Sequence, residues 1–172
     1  MPRPANGEFA PHFQKYIDLV KGNNIADIIA NHEAELSSFY NALPEEKAEY
    51  AYAENKWTIK EVLQHLIDAE RIFAYRALRI ARNDSTPLPG FDEDSYAENA
   101  NANSRSLSSL KDEFNAVRNA SDKLLLSLTE EQLQHKGTSS NHSSTSNSFA
   151  YMIYGHLLHH KNILQERYLA EK

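Results

Sequence analysis

His156 and His160 stand four residues apart in the run Tyr154-Gly155-His156-Leu157-Leu158-His159-His160, and a third histidine, His65, lies inside the amphipathic segment Trp57 to Arg82. Two imidazoles at i and i+4 leave a helix on the same face, so one ligand from a neighbouring helix would complete a divalent-metal site. The spacing alone is weak, because such pairs also occur as polar residues hydrogen-bonded inside a bundle. His65 shifts the balance. It borders the apolar stripe of its segment, and Ala69 one turn on leaves space for a ligand between helices. Three neutral imidazoles suit zinc, nickel or ferrous iron, and three protein ligands leave coordination positions open for water or substrate.

His159 points about 100° around the helix from His160 and is at most an orienting or surface group. Asp68 and Glu70 follow His65 closely, and a carboxylate there could orient a ring through its other nitrogen. A solvated charge on a helix face is the plainer reading of both. His12, His32, His135 and His142 have no partner at ligand spacing and read as surface or capping residues.

Four helical segments must position the histidines. Ile25 to Leu43 carries Ile25, Ile28, Ile29, His32, Leu36, Phe39 and Tyr40 at helical spacing and ends at Pro44. Thr58-Ile59-Lys60-Glu61 is a capping box opening a helix that runs through Val62, Leu66, Phe73 and Ile80 to about Arg82. Ser106 to Ser127 is the third, followed by a cap at Thr129 to Gln132 and a brief turn. Phe149 to Ala170 is the last and bears the paired histidines. Phe9 to Val20 could add a turn or helix. The serine- and asparagine-rich tract Gly137 to Ser148 is expected to be a mobile loop. The expected fold is all-α: a four-helix bundle over residues 1–172 as one domain. The stretch Asn83 to Asn103 is long enough for a crossover that lets helices two and three run parallel.

Composition narrows the function. The 172 residues carry 18 basic and 24 acidic side chains, a formal net charge of −6, with the basic residues scattered, which disfavours a nucleic-acid partner. With no cysteine, thiolate ligands and a cysteine nucleophile are excluded, and any thiol chemistry needs sulfur from a cosubstrate. No apolar run is long enough to span a membrane, and the cytoplasm is the expected compartment.

Lys56 to Arg82, Thr86-Pro87-Leu88-Pro89-Gly90-Phe91-Asp92-Glu93-Asp94, and Gly155 to His160 with Ile163 to Tyr168 together resemble the DinB/YfiT-like superfamily. The resemblance spans nearly the whole chain and keeps the order and spacing of the three histidines. It implies a four-helix bundle with His65, His156 and His160 as ligands of one divalent metal, commonly zinc or nickel, and often a homodimer. It also implies kinship with candidate metal-dependent hydrolases and with transferases that use low-molecular-weight thiols such as bacillithiol or mycothiol. The chain departs from the family at Leu157, where many relatives carry a glutamate directly after the Gly-His pair.

The preferred expectation is an enzyme in which the metal lowers the pKa of a small thiol, whose thiolate attacks an electrophile. Metal-dependent hydrolysis is the alternative. Tyr96 and the loop Pro87 to Phe91 could line the pocket, and Arg105 could hold a substrate carboxylate, though a structural salt bridge serves Arg105 equally well. A non-enzymatic metal-binding or interaction bundle is the third reading. Storage is weaker, because no Glu-x-x-His pair accompanies the ligands. A closed structural site would need a fourth ligand, for which His142 is the candidate.

Overall fold

The computed structural model describes residues 3–170. Seven α-helices are present among them: α1 (Gln14–Ile17), α2 (Ile25–Asn41), α3 (Ile59–Ala81), α4 (Glu93–Ala100), α5 (Leu107–Leu126), α6 (Glu130–Gln134) and α7 (Ser146–Ile163). A two-stranded antiparallel hairpin, β1 (Lys136–Ser139) and β2 (His142–Thr145), precedes α7. The bundle is built from α2, α3, α5 and α7.

Local chemistry sets the helix ends. Asn24, Thr58, Asp92, Ser106, Thr129 and Thr145 each accept a hydrogen bond from a backbone N–H of the first turn, satisfying donors that a helix start leaves orphaned. At Thr58 the box is reciprocal: its backbone N–H donates to the Glu61 carboxylate at 2.7 Å. Inward faces follow the periodicity, with Ile25, Ile28, His32, Leu36 and Tyr40 buried on α2. On α5, Leu107, Leu110, Phe114, Arg118, Ser121 and Leu125 are buried. Helix α7 differs, since every residue from Ser146 to Leu158 is buried. It packs against α1, α2, α3 and α6 at once.

Cross-helix contacts fix the directions. Thr58 bonds Asn103, Gln64 bonds Arg105 and Arg71 bonds Glu113, so positions on the α3 side advance together with those on the α5 side and the two helices run parallel. Phe73 meets Phe149 while His65 meets His156, so α3 and α7 are antiparallel. Helix α2 packs on α5 and α7, antiparallel to the first through Asn41 on Asn115 and Lys111 on Leu43. The crossover expected between the second and third long helices is therefore present. It contains α4, and Leu88 within it bonds both Thr138 and Ser140 of the hairpin.

The tract Gly137 to Ser148 corrects the expected mobile loop. Ser140 and Asn141 both adopt positive φ, 49° and 64°, and form the two-residue turn of a hairpin whose register pairs Ser139 with His142. Small polar side chains can be buried here because they are hydrogen-bonded: the Ser146 hydroxyl donates to Ala77 O at 2.9 Å and the Ser148 hydroxyl to Thr145 O at 2.8 Å. Gly137 permits the strand to approach α3, since a Cβ there would stand 2.7 Å from Ile80 Cγ1. The last helix accordingly starts at Ser146 and continues beyond Ile163 as a π-helical turn, Leu164–Leu169.

Candidate metal centre

Antiparallel packing of α3 on α7 brings His65 opposite His156, and the helical repeat of α7 puts His160 one turn further along the same face. One nitrogen from each ring lies within 4.8 Å of the others. His65 Nε2 and His156 Nε2 are 3.0 Å apart, and the ring centroids are separated by 4.9 Å (His65 to His156), 5.1 Å (His65 to His160) and 4.6 Å (His156 to His160). His65 and His156 are 7% and 5% exposed. Trp57 packs on the ring of His65, Phe73 on that of His156, and Tyr16 meets His156 edge-on with centroids 5.3 Å apart.

Electrostatics favour neutral rings. Burial lowers the pKa of His65 to about 4. Burial, then repulsion from His65, His159 and Lys15, lowers that of His160 to about 3. His156 is pushed well below its ordinary value, first by burial and then by His160 and His65. At neutral pH each ring therefore keeps a free lone pair. The donor set fits a divalent cation of borderline softness. Tetrahedral bonds of about 2.1 Å place ligand nitrogens roughly 3.4 Å apart, within the observed spread. Two observations support the fit. Among the described residues, Nε2 of His65 faces Nε2 of His156 with no other partner for either, and His160 Nδ1 is enclosed without a hydrogen bond, a costly arrangement for buried polar atoms unless something else satisfies them.

A cavity of about 400 Å³ opens beside the cluster. His65, His156, Ala69 and Phe73 form one wall, and His12, Phe13, Lys15 and Tyr16 form another. Arg76, Gly90, Phe91 and Ser140 group together on a further side, and the exposed Glu93 completes the lining. Ala69 leaves the space anticipated from its size. Gly155 lets α1 lie directly on α7, because a Cβ there would be 2.2 Å from the Tyr16 carbonyl oxygen. That approach holds Tyr16 against His156.

The remaining candidates are placed as follows. His159 packs on Tyr16 and His160, with centroids 5.0 and 5.2 Å away. Asp68 accepts from Gln64 at 3.0 Å and lies 3.9 Å from Arg71, so its contacts are with the α3–α5 charge network rather than with an imidazole. Glu70 is buried in a pair with Arg118 at 2.6 Å, in place of the solvated position expected for it. Arg105 bonds Gln64 at 2.8 Å and Glu113 at 2.5 Å, which is the salt-bridge alternative. Phe91 reaches the cavity as expected, but Tyr96 is 47% exposed and lines a neighbouring groove with Asp68, Arg71 and Ile72. His142 is exposed in β2 beside His12. Among the described residues, the cluster suited to a metal is His65, His156 and His160. Tyr16, Lys15, Arg76, Glu93 and Ser140 were missed. A charged residue on the apolar stripe was the available signal for Arg76.

A four-helix bundle with a parallel crossover pair and three imidazoles converging at one helix seam defines a class of histidine-site bundles. Residues 28–164 match the model of the DinB superfamily, and the chain belongs to that family. A candidate metal-dependent hydrolase of Oceanobacillus iheyensis is 29% identical over 99 residues, which are 57% of this chain and 56% of that protein. The chain thus matches little more than half the length of this relative. YfiT from Bacillus subtilis, a candidate metal-dependent hydrolase with an unusual four-helix bundle topology, superposes with a TM-score of 0.69 at 16% identity. That match covers 96% of this chain and 91% of the other. The mycothiol-dependent maleylpyruvate isomerase superposes with a TM-score of 0.66 at 11% identity, over 87% of this chain and 59% of the other. At these identities the two structures share the fold. Among the described residues no helix is long and apolar enough to cross a membrane.

Proposed function

We propose that this chain is a metal-dependent enzyme in which His65, His156 and His160 hold one zinc or nickel ion, and that it transfers a low-molecular-weight thiol to an electrophile. The observation that carries the reading is a set of three neutral imidazoles, two of which, His65 and His156, line a cavity whose one carboxylate is Glu93. Leu157 is buried and apolar, and Glu93, the acidic residue that lines the cavity, is exposed at its rim. When bound, the ion supplies positive charge that lowers the pKa of a thiol or of water next to it.

A thiol, with an ordinary pKa of about 8.5, needs far less assistance than water to ionise near pH 7. The missing glutamate therefore matters less for sulfur transfer than for hydrolysis. The protein's contribution is positional. Phe13, Phe73 and Phe91 line the cavity with apolar rings, and Tyr16, whose pKa is raised first by burial and then by Glu93, offers an O–H donor beside His156. The new bond joins the thiolate sulfur to the electrophilic carbon as the leaving group departs with its electron pair, and the thiol proton passes to solvent. A homodimer is part of the same proposal.

Hydrolysis is the second reading, favoured by the names of the Oceanobacillus and Bacillus relatives. The test is to load the protein with zinc or nickel and compare loss of free thiol in mixtures of bacillithiol or mycothiol with an alkyl halide or epoxide against cleavage of activated esters. Metal-dependent thiol consumption that disappears in His156→Ala supports transfer. Metal-dependent ester cleavage without thiol consumption gives the hydrolase.

A further inference from the structure

Arg76 is 4% exposed, yet among the described residues no carboxylate pairs with it. Its hydrogen bonds both leave from Nη2, to Pro89 O at 2.6 Å and to the Ser140 hydroxyl at 3.4 Å. Nε and Nη1 have no hydrogen-bond partner among the described residues and are not among the enclosed unsatisfied atoms; the guanidinium lies over the Phe91 ring, 5.9 Å from its centroid, and Arg76 lines the cavity. The contrast with the other buried arginine is direct. Arg118 is equally hidden but pairs with Glu70 and Asp122, each at 2.6 Å. A buried guanidinium without a counter-charge is costly and stays protonated, although burial lowers the pKa of Arg76.

The position of Arg76 is as informative as its pairing. Eleven residues separate it from His65, within about 20° of three full helical turns, so the two share one face of α3 with Ala69 and Phe73 between them. Their Cα atoms lie about 16 Å apart along the helix. The cavity therefore has an imidazole pole and a guanidinium pole joined by an apolar floor. In the metal-free protein the charges lining it are Lys15, Arg76 and Glu93, a net charge of plus one, which matches a single negative charge better than a phosphate dianion.

We propose that Arg76 anchors the carboxylate of an elongated monocarboxylate substrate, whose apolar middle lies on Ala69, Phe73 and Phe91 and whose far end reaches the histidine cluster. This rests on the reading of the cavity as the active site, but the test does not use activity or metal. Chelator-treated protein is titrated calorimetrically with phenylbutyrate, its neutral amide phenylbutyramide, and a phenylalkyl phosphate of similar length. The carboxylate is expected to bind at least ten-fold tighter than the amide. Arg76→Gln should weaken the carboxylate about ten- to a hundred-fold and leave the amide unchanged, while Arg71→Gln, outside the cavity, should change neither. Equal binding of carboxylate and amide by the parent protein, no saturable carboxylate binding, or unchanged affinity in a folded Arg76→Gln protein overturns the proposal. So does tighter binding of the phosphate. If Arg76→Gln does not fold, the comparison of carboxylate with amide on the parent decides. Failure here leaves the metal assignment standing, because no ion is present in the experiment.

Discussion

Gly155→Ala separates local propensity from tertiary packing. In an isolated helix the change would stabilise by about 1 kcal/mol. Here the added Cβ would stand 2.2 Å from the Tyr16 carbonyl oxygen, 2.5 Å from its carbon and 2.8 Å from the Tyr16 Cβ. Two of those atoms are backbone, so relief requires α1 to withdraw from α7 by about 1 Å rather than a rotamer change. Overpacking typically costs about 1–3 kcal/mol, and a backbone obstacle places this site at the upper end. After subtracting the propensity gain, a net loss of about 2 kcal/mol remains, equivalent to a fall in Tm of roughly 4–8 °C for a chain of this size. Thermal unfolding followed by circular dichroism in chelator measures it without linkage to a metal. Gly90→Ala is the control, because its Cβ would meet Ser140 Oγ at 3.4 Å, and its Tm should move by less than about 2 °C. A Gly155→Ala protein as stable as the parent would refute the close approach that sets Tyr16 against His156.

Acid should destabilise the metal-free protein. The folded-state pKa values of His65 and His160 lie at about 4 and about 3, below the value near 6.5 expected on unfolding, so the unfolded chain binds more protons as pH falls from about 6.5 toward those values. His65 alone would contribute a loss of roughly 2 kcal/mol between pH 7 and pH 5, read as a lower urea midpoint; a midpoint flat across that range contradicts neutral buried rings. Arg118→Met leaves Glu70, 3% exposed, without its cation and should cost roughly 3–5 kcal/mol by urea unfolding. A loss below about 1 kcal/mol would show that the pair contributes little beyond a hydrophobic pair.

The bundle was legible because its helices announce themselves locally. The box at Thr58 and Glu61, the stripe from Ile25 to Tyr40 and the stop at Pro44 are all short-range signals. The long span after Arg82 made the parallel crossover readable as well. The hairpin was not legible, because its turn residues Ser140 and Asn141 are weaker signals than Asn-Gly, and it is held by partners distant in sequence: Leu88, which bonds Thr138 and Ser140, and Glu8, which bonds Thr145. At the site, the convergence of His65, His156 and His160 could be anticipated because two share one helix and all three accompany apolar positions. Tyr96 was expected at the cavity together with the loop Pro87 to Phe91; Phe91 does line it, whereas Tyr96 on α4 lines the neighbouring groove. Tyr16 and Arg76 depend on how α1 and the loop of Pro89 fold over the cavity. That packing leaves no short-range pattern; the one local cue was the charge of Arg76 on the apolar stripe of its helix.

Whether three imidazoles hold one ion is decided by the metal content of protein purified without chelator. About one equivalent of zinc or nickel per chain is expected, lost in each of His65→Ala, His156→Ala and His160→Ala while helicity by circular dichroism persists. Protein that takes up no metal after incubation with either ion, or whose metal survives all three substitutions, would contradict it.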